Sequence, residues 1–427
     1  VEGNLGYTGS ENFNKERRYG WFPSISGGWV PTQYDWYRNL LPFNNFLKFR
    51  ASWGRVGNDR LKDENGNDIR FPYLTTLGNV SSTWGTGLAE NRTGSMNLKW
   101  EVSTKTNFGI DARFFDDKVD MTVDFFHTKT TDIFQRRANI PDEGGLSNVL
   151  PYANIGSMKS WGMDGTLAYT HTFNKDMALT VRGNFTHAEN EVIYWEQSGV
   201  NYPYQSNSGV PYKVQRGLIA LGLFKDEDDI KSSPKQTFMD NYRPGDIKYK
   251  DVNGDGKIDK DDVVPLNYSA VPFIQYGFAL DWNYKAFRVS ILFEGVSKVQ
   301  YFQGGRGFYP FLNESRGNLL EMVADPRNRW IPREYAEANG IDPALAENPN
   351  AKFPRLTYGE NKNNNQESTF WLADGKYLRL KNVDISYRFT NNWLKSRVGV
   401  ESATLSLIGE NLHVWDKVKL FDPSQAS

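Results

Sequence analysis

Residues 104–126 read Thr-Lys-Thr-Asn-Phe-Gly-Ile-Asp-Ala-Arg-Phe-Phe-Asp-Asp-Lys-Val-Asp-Met-Thr-Val-Asp-Phe-Phe. Apolar and polar side chains alternate on both sides of a short central stretch, residues 115–118. The apolar positions are Phe108, Ile110, Ala112 and Phe114 before that stretch, and Val119, Met121, Val123 and Phe125 after it. Alternation with a period of two, interrupted by one tight turn, predicts an antiparallel hairpin with one apolar and one polar face.

This hairpin fits two environments. In a soluble sandwich its apolar face would be buried in a core, whereas in a transmembrane barrel that face would contact lipid. In the barrel, the charged side chains of Asp111, Arg113 and Asp124 would face a water-filled lumen. The rest of the chain decides between the two.

Nine further segments have strand character, and their lengths cluster near the roughly ten residues that a tilted strand needs to cross a bilayer. With the hairpin, the predicted strands are 1–10, 20–30, 47–56, 104–115, 119–130, 159–173, 177–189, 273–284, 287–298, 377–390 and 400–412. Eleven strands of this length favour an all-β fold, a transmembrane antiparallel β-barrel.

The connections between these strands alternate between short and long. Short turns are predicted at 116–118, 174–176, 285–286 and 391–399, and long segments at 57–103, 131–158, 190–272 and 299–376. Compact soluble domains seldom contain structureless loops of more than about 15 residues. Short periplasmic turns on one rim and long extracellular loops on the other are typical of outer-membrane barrels. Segment 31–46 is a longer connection on the predicted periplasmic side.

We therefore interpret residues 1–427 as part of one barrel domain with about eleven strands. Residues 190–272 and 299–376 are predicted to be long extracellular loops, the second with short helices at 316–346; a small inserted domain is the alternative there. Residues 361–366 form a polar, loop-like stretch. Strand parity predicts one more strand after 400–412, so we expect the chain to be a fragment.

Composition excludes several function classes. The 427 residues carry a formal net charge of −1, which gives no electrostatic case for nucleic acid. There is no cysteine, and no run of 18 apolar residues suggests a membrane-spanning helix. Aromatic residues make up 15% of the chain.

A calcium-type loop is the strongest local motif. In residues 251–262, side-chain oxygens fall at positions 1, 3 and 5, glycine stands at 6, and carboxylates stand at 9 and 12. The predicted ligands are Asp251, Asn253, Asp255, the backbone carbonyl of Lys257, Asp259 (directly or through water) and Asp262. Aspartate replaces the usual glutamate at position 12. The alternative is a hydrated Asp/Asn/Gly turn without metal. The flanking residues look extended, so a structural calcium clamp is a better interpretation than a sensor.

Catalytic patterns are poor. The four histidines, His127, His171, His187 and His413, lie within or beside strand patterns, and no nucleophile or phosphate-binding motif is present. We predict that the protein is not an enzyme. Aromatic-rich loops are better candidates for binding sugars or peptides, although for any single residue a barrel girdle or loop packing is the favoured interpretation. These loops are 29–37, Trp84, 194–195, 202–204 and 308–311.

A family resemblance covers nearly the whole chain. The matching stretches are Phe-Pro-Ser-Ile-Ser-Gly-Gly-Trp at 22–29, Leu-Lys-Phe-Arg-Ala-Ser-Trp-Gly-Arg-Val-Gly-Asn at 47–58, Asn-Leu-Lys-Trp-Glu at 97–101, Asn-Ile-Gly-Ser-Met-Lys-Ser-Trp-Gly at 154–162, Gly-Asp-Ile-Lys-Tyr-Lys-Asp-Val-Asn-Gly-Asp-Gly at 245–256, Tyr-Leu-Arg-Leu-Lys-Asn at 377–382 and Gly-Glu-Asn-Leu at 409–412. In these stretches the chain resembles the C-terminal half of SusC/RagA-type TonB-dependent outer-membrane transporters of Bacteroidetes.

The resemblance implies a plugged, 22-stranded barrel in the cell outer membrane. It also implies energy from the TonB–ExbB–ExbD complex, a SusD-like surface lipoprotein as a lid, and oligosaccharides or peptides as cargo. The family's TonB box, plug and first half of the barrel have no counterpart in this chain, so no TonB-contacting residue is named. The calcium-type loop belongs to the family pattern.

A second hypothesis is a calcium-stabilised surface β protein, an adhesin or glycan-binding protein without transport. Detergent discriminates between the two hypotheses, because a barrel segment needs it for solubility and an adhesin does not.

Overall fold

The computed structural model describes residues 1–427 except 64–65, 84, 141–148, 306, 313–318, 391–395, 398, 419–420 and 426–427. The strands in these residues are β1 (Glu2–Gly9), β2 (Tyr19–Trp29), β3 (Asn44–Asn58), β4 (Thr76–Ser82), β5 (Gly85–Arg92), β6 (Glu101–Phe114), β7 (Val119–Arg136), β8 (Tyr152–Asn174), β9 (Met177–Tyr194), β10 (Val214–Gly217), β11 (Ala220–Leu223), β12 (Lys235–Gln236), β13 (Ile247–Tyr249), β14 (Lys257–Ile258), β15 (Val264–Ser269), β16 (Ile274–Tyr284), β17 (Phe287–Ser297), β18 (Gln300–Phe302), β19 (Leu372–Asp374), β20 (Tyr377–Phe389) and β21 (Ala403–Asp416).

The described helices are short. They are α1 (Asp35–Leu40), α2 (Glu227–Lys231), α3 (Glu321–Ala324) and α4 (Arg333–Ala338), with 3-10 turns at Pro31–Gln33, Pro203–Gln205, Lys260–Asp262, Pro343–Leu345 and Pro423–Gln425. None of the helices in the described residues has the length and apolar character needed to cross a membrane.

Eleven strands form one antiparallel sheet, in the order β1-β2-β3-β6-β7-β8-β9-β16-β17-β20-β21. Each of the eleven predicted strands corresponds to one strand of this sheet, so the fold prediction is confirmed. Strands that are neighbours in the sheet follow one another along the chain, apart from short strands in the long connections. Such sequential pairing is the topology of an up-and-down barrel wall. β1 and β21 lie at the two edges of the described sheet.

The hairpin at 104–126 has the predicted register. Phe108 lies opposite Phe125, and both side chains are over 40% exposed on one face of the sheet. On the other face Asp111 and Asp124 meet at the guanidinium of Arg50. Apolar residues therefore cover the outer surface, and charged residues pair on the inner one, as the barrel interpretation requires.

The two rims of the sheet differ. Short connections at 115–118, 175–176 and 285–286 lie on one rim, together with the helix α1 segment. Connections 59–100, 137–151, 195–273 and 298–376 lie on the opposite rim. Several predicted boundaries differ from the structure by a few residues, and the largest difference is that the connection predicted at 131–158 shrinks to 137–151. The cause is that β7 and β8 continue pairing beyond a bulge between Thr130 and Ile133.

A small apolar cluster lies beneath connections 10–18 and 59–100. Phe13, Leu61 and Leu98 are almost fully buried, and Trp100 packs against Phe13 with ring centroids 5.5 Å apart. This cluster joins residues 10–18 to residues 59–100. A much larger core lies in the two longest connections.

Candidate functional site

The two longest connections fold together into one unit, which we call the loop module (residues 195–273 and 298–376). Both segments contribute fully buried side chains to a common hydrophobic core. The core residues are Leu218, Leu223, Ile247, Tyr249 and Ile258 from the first segment, and Phe308, Tyr309, Val323, Trp330, Phe353 and Trp371 from the second. The predicted short helices are present as α3 and α4 within this unit, while residues 316–318 lie outside the described residues. Neither segment is a structureless loop.

Backbone hydrogen bonds tie the two segments together. The amide of Leu218 donates to the carbonyl of Glu367 over 2.9 Å, and the amide of Thr369 donates back to Leu218 over 2.9 Å. Further along, the amide of Arg355 donates to the carbonyl of Gly245 over 2.9 Å. These contacts link residues more than 100 positions apart, so the core forms only when both connections are in place.

Asp246 is the buried centre of the interface between the two segments. Its side chain is fully buried. One carboxylate oxygen accepts from the side-chain amides of Asn361 (2.9 Å) and Asn364 (2.8 Å). The other oxygen accepts from the backbone amide of Arg243 (2.8 Å) and the guanidinium of Arg355 (2.9 Å). Four donors thus satisfy both oxygens, which is what keeps a buried charge tolerable.

Asn363 extends this polar network. The side chain of Gln236 donates to Asn363 (2.6 Å) and to the carbonyl of Ile247 (2.9 Å). The hydroxyl of Tyr249 donates to the carbonyl of Asn363 over 2.7 Å, and burial raises the pKa of that hydroxyl. The polar composition of 361–366 predicts a loop, but three of its four asparagines, Asn361, Asn363 and Asn364, are buried and hydrogen-bonded to the first segment. Composition alone misses this, because nothing in an asparagine run shows which side chains find partners.

Residues 251–262, which we call the aspartate loop, adopt a tight turn closed by Asp251. Its two carboxylate oxygens accept from the amides of Gly254 (2.6 Å) and Gly256 (2.9 Å). Both glycines have positive φ, 77° and 82°, which favours glycine at these positions. Asn253 and Asp255 each accept from the amide two residues onward. The flanking strands β13 and β15 are extended, as predicted.

Asp262 closes the aspartate loop from inside. It is fully buried, and its oxygens accept from the amides of Val252 (2.7 Å) and Asp259 (2.9 Å). Across the described residues, no set of three or more His, Asp or Glu side chains converges in a way that could hold a metal ion. The carboxylates of this loop bind backbone amides here. The assignment of Asp251, Asn253, Asp255, Lys257, Asp259 and Asp262 as calcium ligands stays a prediction.

The aspartate loop is anchored to a tyrosine pair. The rings of Tyr202 and Tyr204 stack with centroids 5.4 Å apart. The hydroxyl of Tyr204 donates to the carbonyl of Asp261 (2.6 Å), and the side chain of Asn253 donates to the hydroxyl of Tyr202 (3.2 Å). Burial and neighbouring carboxylates raise the pKa of Tyr204, so its hydroxyl stays a donor. The aromatic stretch 202–204 therefore anchors the aspartate loop.

The other aromatic-rich segments have mixed surroundings. Phe308 and Tyr309 are core residues of the loop module, and Tyr309 packs edge-on against Trp371. Trp29 is half-exposed and stacks on Phe49 of the sheet, and Trp36 in α1 is exposed. Trp84 lies outside the described residues. Among these segments, 308–309 is structural, which the sequence did not distinguish from a binding surface.

A cleft of about 970 Å³ opens between the two segments of the loop module. It is lined by Lys225, Asp226, Glu227, Arg243 and Pro244 from the first segment, and by Arg329, Trp330, Pro332, Tyr335, Glu347, Arg355 and Leu356 from the second. Ligand pockets commonly measure 300–1,000 Å³. No sequence pattern indicates this cleft, because its lining comes from seven separate short stretches.

Charged side chains on the inner face of the sheet neutralise one another. Arg50 donates to Asp111 over 2.8 and 2.9 Å and to Asp124 over 3.1 and 2.9 Å. Asp281 likewise lies between Arg182 (2.5 Å) and Arg288 (3.3 Å). The prediction that Asp111 and Asp124 avoid the apolar face is therefore confirmed. These clusters cross-link neighbouring strands, and nothing in their geometry suggests covalent chemistry.

Comparison with known proteins agrees with this geometry. Residues 1–412 match the family described as TonB dependent receptor-like, beta-barrel. The chain is 27% identical to TonB-dependent receptor P26 of Formosa agariphila, over 97% of this chain and 40% of the relative. It is 23% identical to TonB-dependent receptor SusC of Bacteroides thetaiotaomicron, over 99% of this chain and 39% of the relative.

Solved structures extend the agreement to the fold. The structure of the RagAB peptide transporter aligns with a TM-score of 0.71 and 22% sequence identity, covering 97% of this chain and 42% of the transporter chain. This chain therefore spans about 40% of the length of the curated relatives it matches. These relatives are named as receptors, not as enzymes.

Proposed function

This chain belongs to the TonB-dependent receptor β-barrel family, and we propose that the protein containing it imports nutrients actively across the outer membrane. The family is one of outer-membrane β-barrels, so the sheet is part of a barrel wall. TonB–ExbB–ExbD would supply the energy. In this proposal the chain contributes a conduit and an outer mouth, with no covalent chemistry.

The observation that carries the proposal is the contrast between the two rims of the sheet. One rim has turns of two to four residues, at 175–176, 285–286 and 115–118, together with the small α1 segment, while the other carries the loop module with its own core. An adhesin-like sandwich has no need for an apolar outer face with Leu405 and Leu407 about 70% exposed. A barrel in lipid needs that face.

A SusD-like surface lipoprotein is the partner that we propose for the loop module. A folded surface loses less conformational entropy when it binds a partner than a flexible loop does. The cargo class that we propose is oligosaccharide or peptide, since one relative is named SusC and one solved structure is titled a peptide transporter. Both classes fit a wide mouth lined by polar and aromatic side chains.

Uptake measurements on the complete transporter test this proposal. We expect a fluorescent oligosaccharide or oligopeptide to enter cells that express the transporter, and entry to stop when TonB is deleted. Entry of only one of the two probes would identify the cargo class. Surface binding of glycan with no TonB-dependent entry of either probe would contradict import and support the adhesin hypothesis.

We also propose that the aspartate loop binds calcium as a structural clamp. The supporting features are the positive φ of Gly254 and Gly256 and the convergent turns of Asp251, Asn253 and Asp255. Each carboxylate that accepts one amide on an oxygen retains lone pairs for a cation. Binding would require the buried Asp262 to turn or to serve through its remaining lone pairs.

Calorimetry on the chelator-treated transporter tests the clamp. We expect calcium to bind and to raise the stability of the loop module by about 2.7 kcal/mol at a hundred-fold excess over Kd. Asp251→Ala should abolish the heat, while Asp240→Asn, an exposed aspartate outside the aspartate loop, should not. Absence of calcium heat in the wild type would contradict the clamp and leave the barrel assignment untouched.

A further inference from the structure

The cleft in the loop module carries an excess of hydrogen-bond donors. Arg243 and Arg329 form no direct salt bridge in the part of the chain that the structure describes, and Arg329 has only the longer-range attraction of Asp325. Arg329 uses its Nε on the carbonyl of Ala324 (3.2 Å), which leaves its terminal nitrogens without an acceptor. Two cationic groups on opposite segments thus line one cleft without a matching anion.

Two further donors at the cleft have no acceptor. The indole N–H of Trp330 and the Nε of Arg355 are buried and have no hydrogen-bond partner among the described residues. Trp330 is 6% exposed, and it packs over Gly245 so closely that a Cβ there would lie 2.3 Å from the ring. Buried donors without acceptors are costly and rare, and each asks for an explanation.

Two of the three acidic residues that line the cleft are engaged. Asp226 caps helix α2 by accepting from the amide of Asp229. Glu347 pairs with Arg333 over 3.4 Å. The third, Glu227, is exposed in the first turn of α2. The nearby Asp325 is held by Arg327, which donates to both of its carboxylate oxygens, and it attracts Arg329 only at longer range.

We propose that this cleft binds a ligand that carries an oxyanion, a carboxylate or sulfate attached to a sugar or peptide. An oxyanion supplies several acceptor lone pairs and a negative charge, which match Arg243, Arg329 and the unpaired N–H groups of Trp330 and Arg355. Arg329 lies over the ring of Tyr335 with 5.2 Å between guanidinium carbon and centroid, so a rigid cation stands beside an aromatic face. This combination suits an acidic group attached to a ring or an apolar side chain.

The site adds to the proposed import function and does not depend on it. Binding to the cleft is measurable at equilibrium on purified transporter, whether or not cargo moves across the membrane. A failure of uptake therefore leaves this inference standing, and a failure of binding leaves uptake standing.

Calorimetric titration of the complete transporter in detergent tests the site. The charged probe is trigalacturonate, and the neutral control is maltotriose. We expect trigalacturonate to bind at least tenfold more tightly, and Arg243→Gln to weaken it about tenfold, the value of one charge-assisted hydrogen bond. Arg243 is exposed, so this substitution is not expected to disturb folding.

Two controls make the result decisive. Lys235→Gln removes an exposed lysine of the loop module outside the cleft, and it should leave trigalacturonate binding unchanged. Arg329→Gln should weaken binding as Arg243→Gln does. Tight binding of trigalacturonate that neither cleft variant weakens would overturn the site.

A second pair of probes distinguishes the sources of the oxyanion. Tetraglutamate and tetraglutamine are titrated in the same way as the two sugars. A preference for tetraglutamate alone places the oxyanion on a peptide, and a preference for trigalacturonate alone places it on a sugar. Either preference, if lost in Arg243→Gln, supports the cleft; absence of both overturns it.

Discussion

The barrel wall and the loop module are stabilised by different interactions. In the wall, each strand is fixed by a ladder of backbone hydrogen bonds to its neighbours, and large apolar side chains such as Phe125 and Leu407 stay exposed. In the loop module, strands are only two to six residues long, and stability comes from a buried core and from Asp246. The wall is stabilised by main-chain pairing, whereas the module is stabilised by side chains.

This difference has an energetic consequence. A side chain on the outer wall contacts lipid in the assembled membrane, so shortening it exchanges one apolar contact for another. A side chain in the core of the module contacts only protein, and shortening it leaves a cavity or an unpaired donor. Substitutions in the module should therefore cost more than chemically similar substitutions in the wall.

Asp246→Ala should give the largest effect. The substitution removes the acceptors of Asn361, Asn364 and Arg355 together. We expect the loop module to lose roughly 5 kcal/mol, as expected when one partner of a buried charged network is removed. Hydrogen exchange should then show fast exchange across residues 195–273 and 298–376, with the sheet still protected.

Asp240→Asn is the matched control for Asp246→Ala, because Asp240 is an exposed aspartate of the same segment. Its exchange pattern should equal that of the wild type. If Asp246→Ala left the module protected, the side-chain network would not be what joins the two connections.

Trp371→Ala and Phe278→Ala compare the two regions directly. Trp371 is 2% exposed, packs against Tyr309 and donates to the carbonyl of Asn364 over 2.7 Å. We expect its removal to cost about 4 kcal/mol, within the range for buried aromatic-to-alanine changes. Phe278 stacks on Phe293 on the outer wall and should cost about 1 kcal/mol.

Urea unfolding in matched detergent, followed by tryptophan fluorescence and by circular dichroism, measures both costs. Equal losses for Trp371→Ala and Phe278→Ala would show that the wall depends on side-chain packing as much as the module does. A larger loss for Phe278→Ala would reverse the comparison.

The same contrast explains what the sequence predicted. Alternation such as Phe108 and Ile110 against Asp111 is a local signal, and it gave all eleven strands of the sheet. The contact between Leu218 and Glu367 joins residues 149 positions apart and leaves no local pattern. For the same reason Asp246 and the cleft went unpredicted. The spacing of residues 251–262 predicts Asp262 as a metal ligand. Spacing shows which residue types stand at the ligand positions, but it does not show whether a carboxylate oxygen faces an ion or a backbone amide.

Arg50→Gln tests whether charge pairing adds to the wall beyond main-chain ladders. The substitution removes the guanidinium that bridges Asp111 and Asp124. We expect a loss of about 2 kcal/mol, the usual value for charge-assisted hydrogen bonds at a partly buried site. Arg38→Gln, which breaks an exposed pair with Asp35, should cost less than about 0.5 kcal/mol in the same urea assay. Equal losses of unfolding free energy in Arg50→Gln and Arg38→Gln would mean that the inner ion pairs make the lumen polar without stabilising the wall.

The smallest expected effect concerns Glu196, just beyond the outer end of β9. Its carboxylate accepts from the guanidinium of Arg137 (2.9 Å) and from the amide of Ala138 (3.0 Å). Burial acts to raise the pKa of Glu196, but these donors together outweigh it, so the pKa lies below its ordinary value. A depressed pKa means that the folded state favours the ionised form.

The stabilisation from Glu196 is therefore fully present above its unfolded pKa, about 4.3, and is lost as the pH falls through the lower folded value. We expect Glu196→Gln to cost about 1 kcal/mol at pH 7, a value reduced by the partial exposure of Arg137. The difference between variant and wild type should shrink steadily below pH 4, since protonation makes the two side chains alike. Urea unfolding at pH 7, 5 and 3 measures this. A difference that stayed constant down to pH 3 would mean that shape, rather than charge, holds the 137–138 segment against β9.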